Sequence, residues 1–469
     1  MKPSMILTLL ACAIVLGAQT VWAGSRTGQG SGDAAHGLDP VVLVGVAVIL
    51  IVAKLSGELF ERIGQPTVLG ELIAGIVLGN LALVGFMGAE PLKSNEVIGA
   101  LAEIGVIILL FEVGLESNLT DMLEVGWSSL LVAVAGIVAP FFLGWGVAAY
   151  FLPDESRLAY IFIGATLCAT SVGITARVLK DMGRLQTRES RIILGAAVID
   201  DILGLLILAV VAGSIKATAM GASLSMLSIM VITAKAVVFL IGAITIGHFI
   251  IPRIFHGAGR LESSGVLLAL AIAFCFLLAW VASLVGLAPI VGAFAAGLVL
   301  DEAHFESFRD RGEHRLDELL RPVSTILVPI FFVLMGLRVD LRAFAKPELL
   351  GFAVVLTFVA ILGKQICSLA VAERQINRLA IGLGMIPRGE VGLIFAGIGA
   401  TLTLPNPQGV NEPVIGTSTF GAVVIMVIIT TLVTPPALKW ALARTSPLDE
   451  SGSGNDPAQE IAADDTLPQ

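Results

Sequence analysis

Three charged residues lie deep inside apolar segments of the sequence. Asp200 and Asp201 stand side by side in one segment, where Asp201 follows Arg191 by ten residues. Lys364 lies in another segment, ten residues before Arg374. At about 1.5 Å per helical residue, ten residues reach roughly 15 Å, or half the hydrocarbon thickness of a bilayer. Charges at that depth cost at least about 2.5–3.5 kcal/mol each, so they mark a functional layer.

The acidic pair has the chemistry of a site at which a proton and a cation compete. Two close carboxylates in a low dielectric hinder each other's ionisation, so one of them can hold either a proton or a cation. Neighbouring helical residues point about 100° apart, so Asp200 and Asp201 cannot face the same partner. One of them can pair with Lys364 while the other meets the ion, and hard oxygen ligands suit a small cation such as sodium. A purely structural ion pair between Asp200 and Lys364 is the competing interpretation.

Two apolar segments contain residues that interrupt a helix at this same depth. Pro387 precedes Arg388 and Glu390 in a glycine-containing stretch, and proline cannot continue the hydrogen bonds of a helix. Thr170 and Ser171 lie in the other segment, where hydroxyl groups can satisfy freed backbone groups. Interrupted helices in matching positions of two halves of a chain indicate the ion site of a transporter.

The composition requires that these elements be membrane helices. Of the 469 residues, 56% are hydrophobic and 14% are charged, and the mean hydropathy is +0.94. We predict an all-α polytopic membrane protein with about thirteen spans. They lie near 40–58, 66–86, 97–116, 127–151, 158–178, 191–214, 224–251, 264–285, 287–301, 322–338, 348–372, 378–402 and 414–442. Spans 1–6 correspond to spans 8–13, so each span matches the one seven places later. Because seven is odd, matching helices cross the membrane in opposite directions. This predicts an inverted repeat with two crossed broken helices.

The distribution of basic residues predicts the orientation of these spans. Most lysines and arginines fall in connections on one side, which the positive-inside rule assigns to the cytoplasm. The mature N-terminus is then outside and the C-terminus is cytoplasmic, which places the chain in a cytoplasmic membrane. The predicted cytoplasmic residues include Arg177, Lys180, Arg184, Arg188, Arg191, Arg253, Arg260, Arg309, Arg311, Arg315, Arg321, Arg374, Arg378, Lys439 and Arg444.

The two ends of the chain carry separate predictions. Residues 1–23 have the pattern of a signal peptide, with Lys2, a short apolar run and small residues at Val21 and Ala23. An additional transmembrane helix is the alternative for this segment. Residues 446–469 are acidic and rich in Gly, Ser and Pro, which predicts a disordered cytoplasmic tail.

Four stretches of the sequence resemble signatures of a known family. Residues 65–79 read QPTVLGELIAGIVLG, 110–116 read LFEVGLE, 169–175 read ATSVGIT and 386–393 read IPRGEVGL. Together they resemble the bacterial monovalent cation:proton antiporter family that includes NapA and the Kef systems, over about residues 40–443. Any one of these stretches alone is a weak indication.

The resemblance implies a sodium/proton antiporter of the NhaA/NapA-like fold, working as a homodimer by an elevator-like exchange. A core domain near 97–214 and 322–442 would move against a dimerisation domain near 40–86 and 224–301. Asp201 is implied as the principal ion and proton carrier, Asp200 as the partner of Lys364, and Thr170 as a further ligand, so that sodium would bind at Asp201, Asp200 and Thr170. An Asp-Asp pair with a lysine resembles the electrogenic, sodium-selective branch.

Other residues and other functions stay as alternatives. Glu71 and Glu112 lie within the family stretches, either lining an ion pathway or serving at helix ends and interfaces. Arg388 and Glu390 either pair locally, supporting the broken helix with Ser171 and Pro387, or bind the ion. Potassium/proton exchange, organic-anion symport and a channel or ion-sensing receptor are the other candidate functions. We expect no cofactor, no enzymatic activity and no nucleic-acid partner; the partners are cations, protons and the bilayer.

Overall fold

The computed structural model describes residues 40–84, 90–116, 126–184, 187–219, 226–258, 265–300, 315–373, 376–405 and 411–444. The predicted signal peptide and tail therefore lie outside the described residues. A four-residue helix covers Glu90–Lys93. The longer helices are α1 (Pro40–Arg62), α2 (Thr67–Gly79), α3 (Glu96–Glu116), α4 (Trp127–Phe151), α5 (Arg157–Thr166), α6 (Val172–Asp181), α7 (Arg188–Ala219), α8 (Met226–Ala258), α9 (Val266–Leu284), α10 (Pro289–Val299), α11 (Leu316–Leu337), α12 (Pro347–Ile366), α13 (Arg378–Gly384), α14 (Glu390–Thr401) and α15 (Thr417–Ala443).

Most of these helices have the length and composition of membrane spans. Nine helices among the described residues are long and apolar enough to cross a membrane, namely α1, α3, α4, α7, α8, α9, α11, α12 and α15. Four shorter apolar helices, α2, α5, α10 and α14, lie between them. The chain is therefore a polytopic helical membrane protein.

The described part also contains a small β-hairpin, which the all-α prediction missed. Strand β1 (Thr403–Pro405) pairs antiparallel with β2 (Asn411–Pro413), with Leu404 opposite Glu412. Strands this short carry too little alternation to be seen in a sequence. The hairpin follows α14 and packs beside α7, and the amides of Val414 and Ile415 bond back to Leu402 and Gly399.

The helices pack as two bundles. The first bundle consists of α1, α2, α3, α9, α10 and α11, in which α3 packs against both α10 and α11. The second bundle consists of α4, the pair α5 and α6, α7, α12, the pair α13 and α14, and α15. Helix α8 packs against α7 of the second bundle and against α9 and α10 of the first. Contact between Gly397 on α14 and the Met335 side chain on α11 joins the two bundles.

Glycine allows several close helix crossings inside the first bundle, and in two of them a glycine faces a glycine. A Cβ atom on Gly75 of α2 would lie 2.3 Å from the carbonyl oxygen of Val333 on α11, where Gly336 is the facing glycine. On α3, Gly114 faces Gly297 of α10 in the same way. Since a Cβ cannot be accommodated at such distances, these helices approach backbone to backbone. Both crossings therefore hold pairs of helices of the first bundle in direct backbone contact.

Candidate functional site

Both predicted helix interruptions are present in the structure, and they meet. Helix α5 ends at Thr166 and α6 begins at Val172, while α13 ends at Gly384 and α14 begins at Glu390. The amide of Ser171 donates a hydrogen bond of 2.8 Å to the carbonyl of Pro387. Thr175 Oγ1 donates to the carbonyl of Gly384 at 2.6 Å. The backbone groups that each break frees are thus partly satisfied by the other broken helix.

The meeting point of the two breaks faces Asp200 on α7. Thr170, in the first break, donates a hydrogen bond from Oγ1 to Asp200 Oδ2. Lys364 on α12 brings its Nζ to 3.0 Å from the same oxygen. Three elements distant in the sequence therefore converge on one carboxylate oxygen. The other oxygen, Asp200 Oδ1, is buried and has no hydrogen-bond partner among the described residues.

The contact between Asp200 and Lys364 is shielded from solvent. Both side chains in this salt bridge are 0% exposed. Attraction between unit charges is strong in such surroundings, but removing both charges from water costs several kcal/mol per ion. The pair is therefore stable only while each charge keeps its partner, and loss of either partner costs about 3–5 kcal/mol. Such a pair responds strongly to the arrival of another charge.

Asp201 is the more accessible member of the acidic pair. It is 8% exposed, whereas the neighbouring Asp200 is 1% exposed. The two carboxylates point in different directions because successive helical residues are about 100° apart. Asp200 is thus held by Thr170 and Lys364, while Asp201 is slightly more exposed.

Arg388 links the second break to two other elements. Its guanidinium is fully buried and donates to the carbonyl of Ala169 at 2.5 Å and to that of Ala360, on α12, at 3.3 Å. The carbonyl of Arg388 accepts a hydrogen bond of 3.0 Å from Thr431 Oγ1 on α15. Arg388 therefore holds the two breaks and α12 together, by bonds to backbone carbonyls. The side chain of Glu390 is not among those that the structure describes, so the ion pair between Arg388 and Glu390 stays a prediction.

The structure places Glu71 and Glu112 away from this cluster. Glu71 is buried on α2, which packs against α1 and α11. Glu112 is half-buried on α3, which packs against α10 and α11. Neither residue takes part in the hydrogen bonds described for Asp200, which go to Thr170 and Lys364. Both glutamates belong to the first bundle.

A second group of carboxylates lies outside the membrane-spanning segments. Glu155, in the connection between α4 and α5, is partly buried, and burial raises its pKa. The negative charges of Glu412 in the hairpin and of Asp154 raise the pKa further. These residues lie at the end of the second bundle where α5 begins, and they do not contact Asp200.

Sequence reasoning missed one of the two threonines that hold the breaks in place, Thr431 on α15, whereas Thr175 belongs to the hydroxyl-containing stretch 169–175 of the first broken segment. Thr175 and Thr431 each donate a hydrogen bond to a backbone carbonyl within or next to the second break. Thr431 is one of three threonines within a single turn of α15, together with Thr430 and Thr434. All three are buried. A cluster of hydroxyls inside an apolar span was the available signal, because free backbone groups elsewhere in the bundle need such donors.

Comparison with known proteins gives consistent matches along nearly the whole described chain. The profile of the family described as "Sodium/hydrogen exchanger, transmembrane" matches residues 47–444. The high-affinity Na+/H+ antiporter NhaS3 of Synechocystis is 39% identical, covering 85% of this chain and 90% of the relative. The Na+/H+-K+ antiporter GerN of Bacillus cereus is 35% identical, covering 84% and 95%. The sodium proton antiporter MjNhaP1 of Methanocaldococcus jannaschii has a similar fold, with a TM-score of 0.63, 16% identity and coverage of 85% of this chain and 97% of that structure.

Proposed function

This chain belongs to the sodium/hydrogen exchanger family, and from this premise we propose that it exchanges sodium for protons across the membrane. The observation that carries the proposal is the buried cluster of Asp200, Thr170 and Lys364 at the meeting point of two broken helices, with Asp201 beside it. Paired carboxylates with a hydroxyl group form an oxygen-rich site for a small cation.

The proposed exchange is a competition at these carboxylates. Sodium binds to Asp201 and to the second oxygen of Asp200, which is buried beside the bonds from Thr170 and Lys364. A positive ion at that position weakens the attraction between Asp200 and Lys364, so the lysine is released. Sodium binding displaces a proton from Asp201, and a proton returns there when sodium leaves. The buried carboxylates therefore always have sodium, the lysine or a proton beside them, since an unpartnered buried charge would cost several kcal/mol.

We further propose that the two bundles move against each other. The second bundle carries the proposed ion site, and the first contains the backbone crossings of α2 with α11 and of α3 with α10. This division differs from the sequence-based one, because α3 and α11 pack within the first bundle rather than with the ion site. An elevator-like movement of the second bundle would expose Asp201 alternately to the two sides.

The glycine crossings also support the proposed inverted repeat. In the predicted correspondence of spans, α2 matches α10 and α3 matches α11. The crossing of α2 with α11, at Gly75 and Gly336, then corresponds to the crossing of α10 with α3, at Gly297 and Gly114. The broken pair α5 and α6 likewise corresponds to α13 and α14. Equivalent contacts at equivalent positions are what an inverted repeat requires.

Potassium is the second candidate cation. GerN, at 35% identity, is by name a Na+/H+-K+ antiporter, whereas NhaS3, at 39%, is by name a Na+/H+ antiporter.

We place the protein in the inner membrane of a bacterium, with its C-terminus in the cytoplasm, as the positive-inside pattern favours. We also propose a homodimer formed through the first bundle, because exchange by a moving second bundle needs a fixed partner.

The proposal is tested by reconstitution in proteoliposomes that contain a pH-sensitive dye. We expect addition of sodium to move protons, and we expect potassium to do so less. Protein-free liposomes and choline chloride control for leakage. If potassium moves protons at the same rate as sodium, the proposed selectivity for sodium is wrong, but the proposed cation/proton exchange is still supported. If neither cation moves protons at any pH, the proposed function is wrong.

A further inference from the structure

A proline inside α4 leaves one backbone carbonyl without its helical donor. Pro140 lies in the middle of α4 and is buried. Proline has no N–H, so it cannot bond to the carbonyl four residues earlier, which belongs to Gly136. Gly136 is also buried, in the interior of the second bundle. A freed carbonyl in such a place needs another donor, since an unsatisfied buried polar group costs about 1–3 kcal/mol.

The ammonium group of Lys364 is a donor that lies beside Gly136. A Cβ atom on Gly136 would lie 3.4 Å from Lys364 Nζ and 3.7 Å from its Cδ, so the lysine side chain runs directly over this glycine. One residue earlier on α12, Gly363 approaches the backbone of Pro140, where a Cβ atom would lie 2.9 Å from Pro140 Cα. The two helices are therefore closest where the lysine lies.

The surroundings of Lys364 offer few alternatives as acceptors. Asp200 on α7 attracts the ammonium, and Arg388, between α13 and α14, repels it. The thiols of Cys168, after α5, and Cys367, after α12, also lie close. Residues 130–144 of α4 carry only apolar side chains, so a backbone carbonyl is the polar group that this part of α4 can offer.

We infer that Gly136 and Pro140 form a second position for Lys364. When sodium binds to Asp200, the amino group of Lys364 turns from Asp200 Oδ2 to the carbonyl oxygen of Gly136. The long, flexible lysine side chain needs only a small rotation for this change. A neutral amine still has N–H groups to donate, so the carbonyl holds the lysine whether or not it has given up its proton. Glycine at position 136 leaves the space that this movement needs. The inference rests on the proposed sodium/proton exchange.

The substitution Pro140→Ala tests this role, because alanine restores the N–H that bonds to the Gly136 carbonyl. Lys364 then loses its second position and stays on Asp200, so sodium competes less well. We expect the half-saturating sodium concentration to rise on the order of fivefold, which corresponds to about 1 kcal/mol or one net hydrogen bond. Pro140→Ser restores the same N–H as a second variant. Pro252→Ala, which removes a proline inside α8, is the matched control and leaves half-saturation unchanged.

Coupling to Lys364 separates a positioning role from a structural one. Half-saturation is measured both by proton movement and by the rise in unfolding temperature that sodium causes. In a Lys364→Gln background, Pro140→Ala is expected to have no further effect. An unchanged value in Pro140→Ala, or an equal increase in both backgrounds, would overturn the inference while leaving exchange intact. Absence of sodium-driven proton movement in the unmodified protein would instead overturn the proposed function.

Discussion

Asp201→Asn is expected to reduce sodium-driven proton movement to the level of protein-free liposomes. Taken as whole residues, Asp201 is the more exposed of the adjacent pair, at 8% against 1% for Asp200. An amide can neither take up nor release a proton in the working range, and it binds a cation without charge compensation. The substitution keeps the size of the side chain, so the packing around α7 is preserved. The measurement is dye-monitored exchange in proteoliposomes, with sodium on one side.

A conservative control shows whether a loss of exchange is specific to this site. Asp317→Asn makes the same chemical change at a carboxylate that is 60% exposed and lies at the start of α11. We expect this variant to exchange at the unmodified rate. Equal unfolding temperatures in detergent would show that both variants are folded. Retention of most of the exchange in Asp201→Asn would contradict the assignment of Asp201 as the carrier.

Lys364→Gln is expected to leave exchange partly active and to make it independent of membrane potential. In the structure Lys364 lies 3.0 Å from Asp200 Oδ2, and both side chains are 0% exposed. If the lysine gives up its proton when sodium displaces it, each cycle moves net charge. Glutamine can still donate a hydrogen bond to Asp200, but it carries no charge to release. The rate of exchange would then no longer respond to an imposed potential.

The same variant should also be less stable. Removing one partner of a buried ion pair leaves an uncompensated charge, at a cost of about 3–5 kcal/mol unless that charge takes up a proton. We therefore expect a lower unfolding temperature in Lys364→Gln, with part of the stability restored at low pH, where Asp200 is neutral. The potential is set with potassium and valinomycin, and Lys346→Gln at the start of α12 serves as the control. A fully potential-sensitive Lys364→Gln would contradict the lysine's role.

The sequence allowed the main features of the site to be predicted because they depend on a few residues with strong local effects. Pro387 must interrupt a helix, and hydroxyl residues at Thr170 and Ser171 indicate a second interruption. Charges at equal depth restrict their possible partners, and in the structure Lys364 does contact Asp200. The roles of these residues in ion binding stay predictions.

The rest depended on backbone geometry, which leaves little trace in side-chain types. Arg388 donates to the carbonyls of Ala169 and Ala360, and no residue type indicates such acceptors. The predicted pairing with Glu390 considered only opposite charge. The grouping of α3 with the first bundle depends on backbone contact at glycines such as Gly114, and a glycine in an apolar span has several possible uses.

Sodium and protons are proposed to compete for the same carboxylates, and counting the protons that sodium releases measures this competition. Sodium is added to the purified protein in weakly buffered detergent solution near neutral pH, and the protons released are counted with a pH indicator. We predict stoichiometric release from the unmodified protein and none from Asp201→Asn. Equal release from Asp201→Asn, or no release from the unmodified protein while it exchanges sodium for protons in liposomes, would contradict competition at this site.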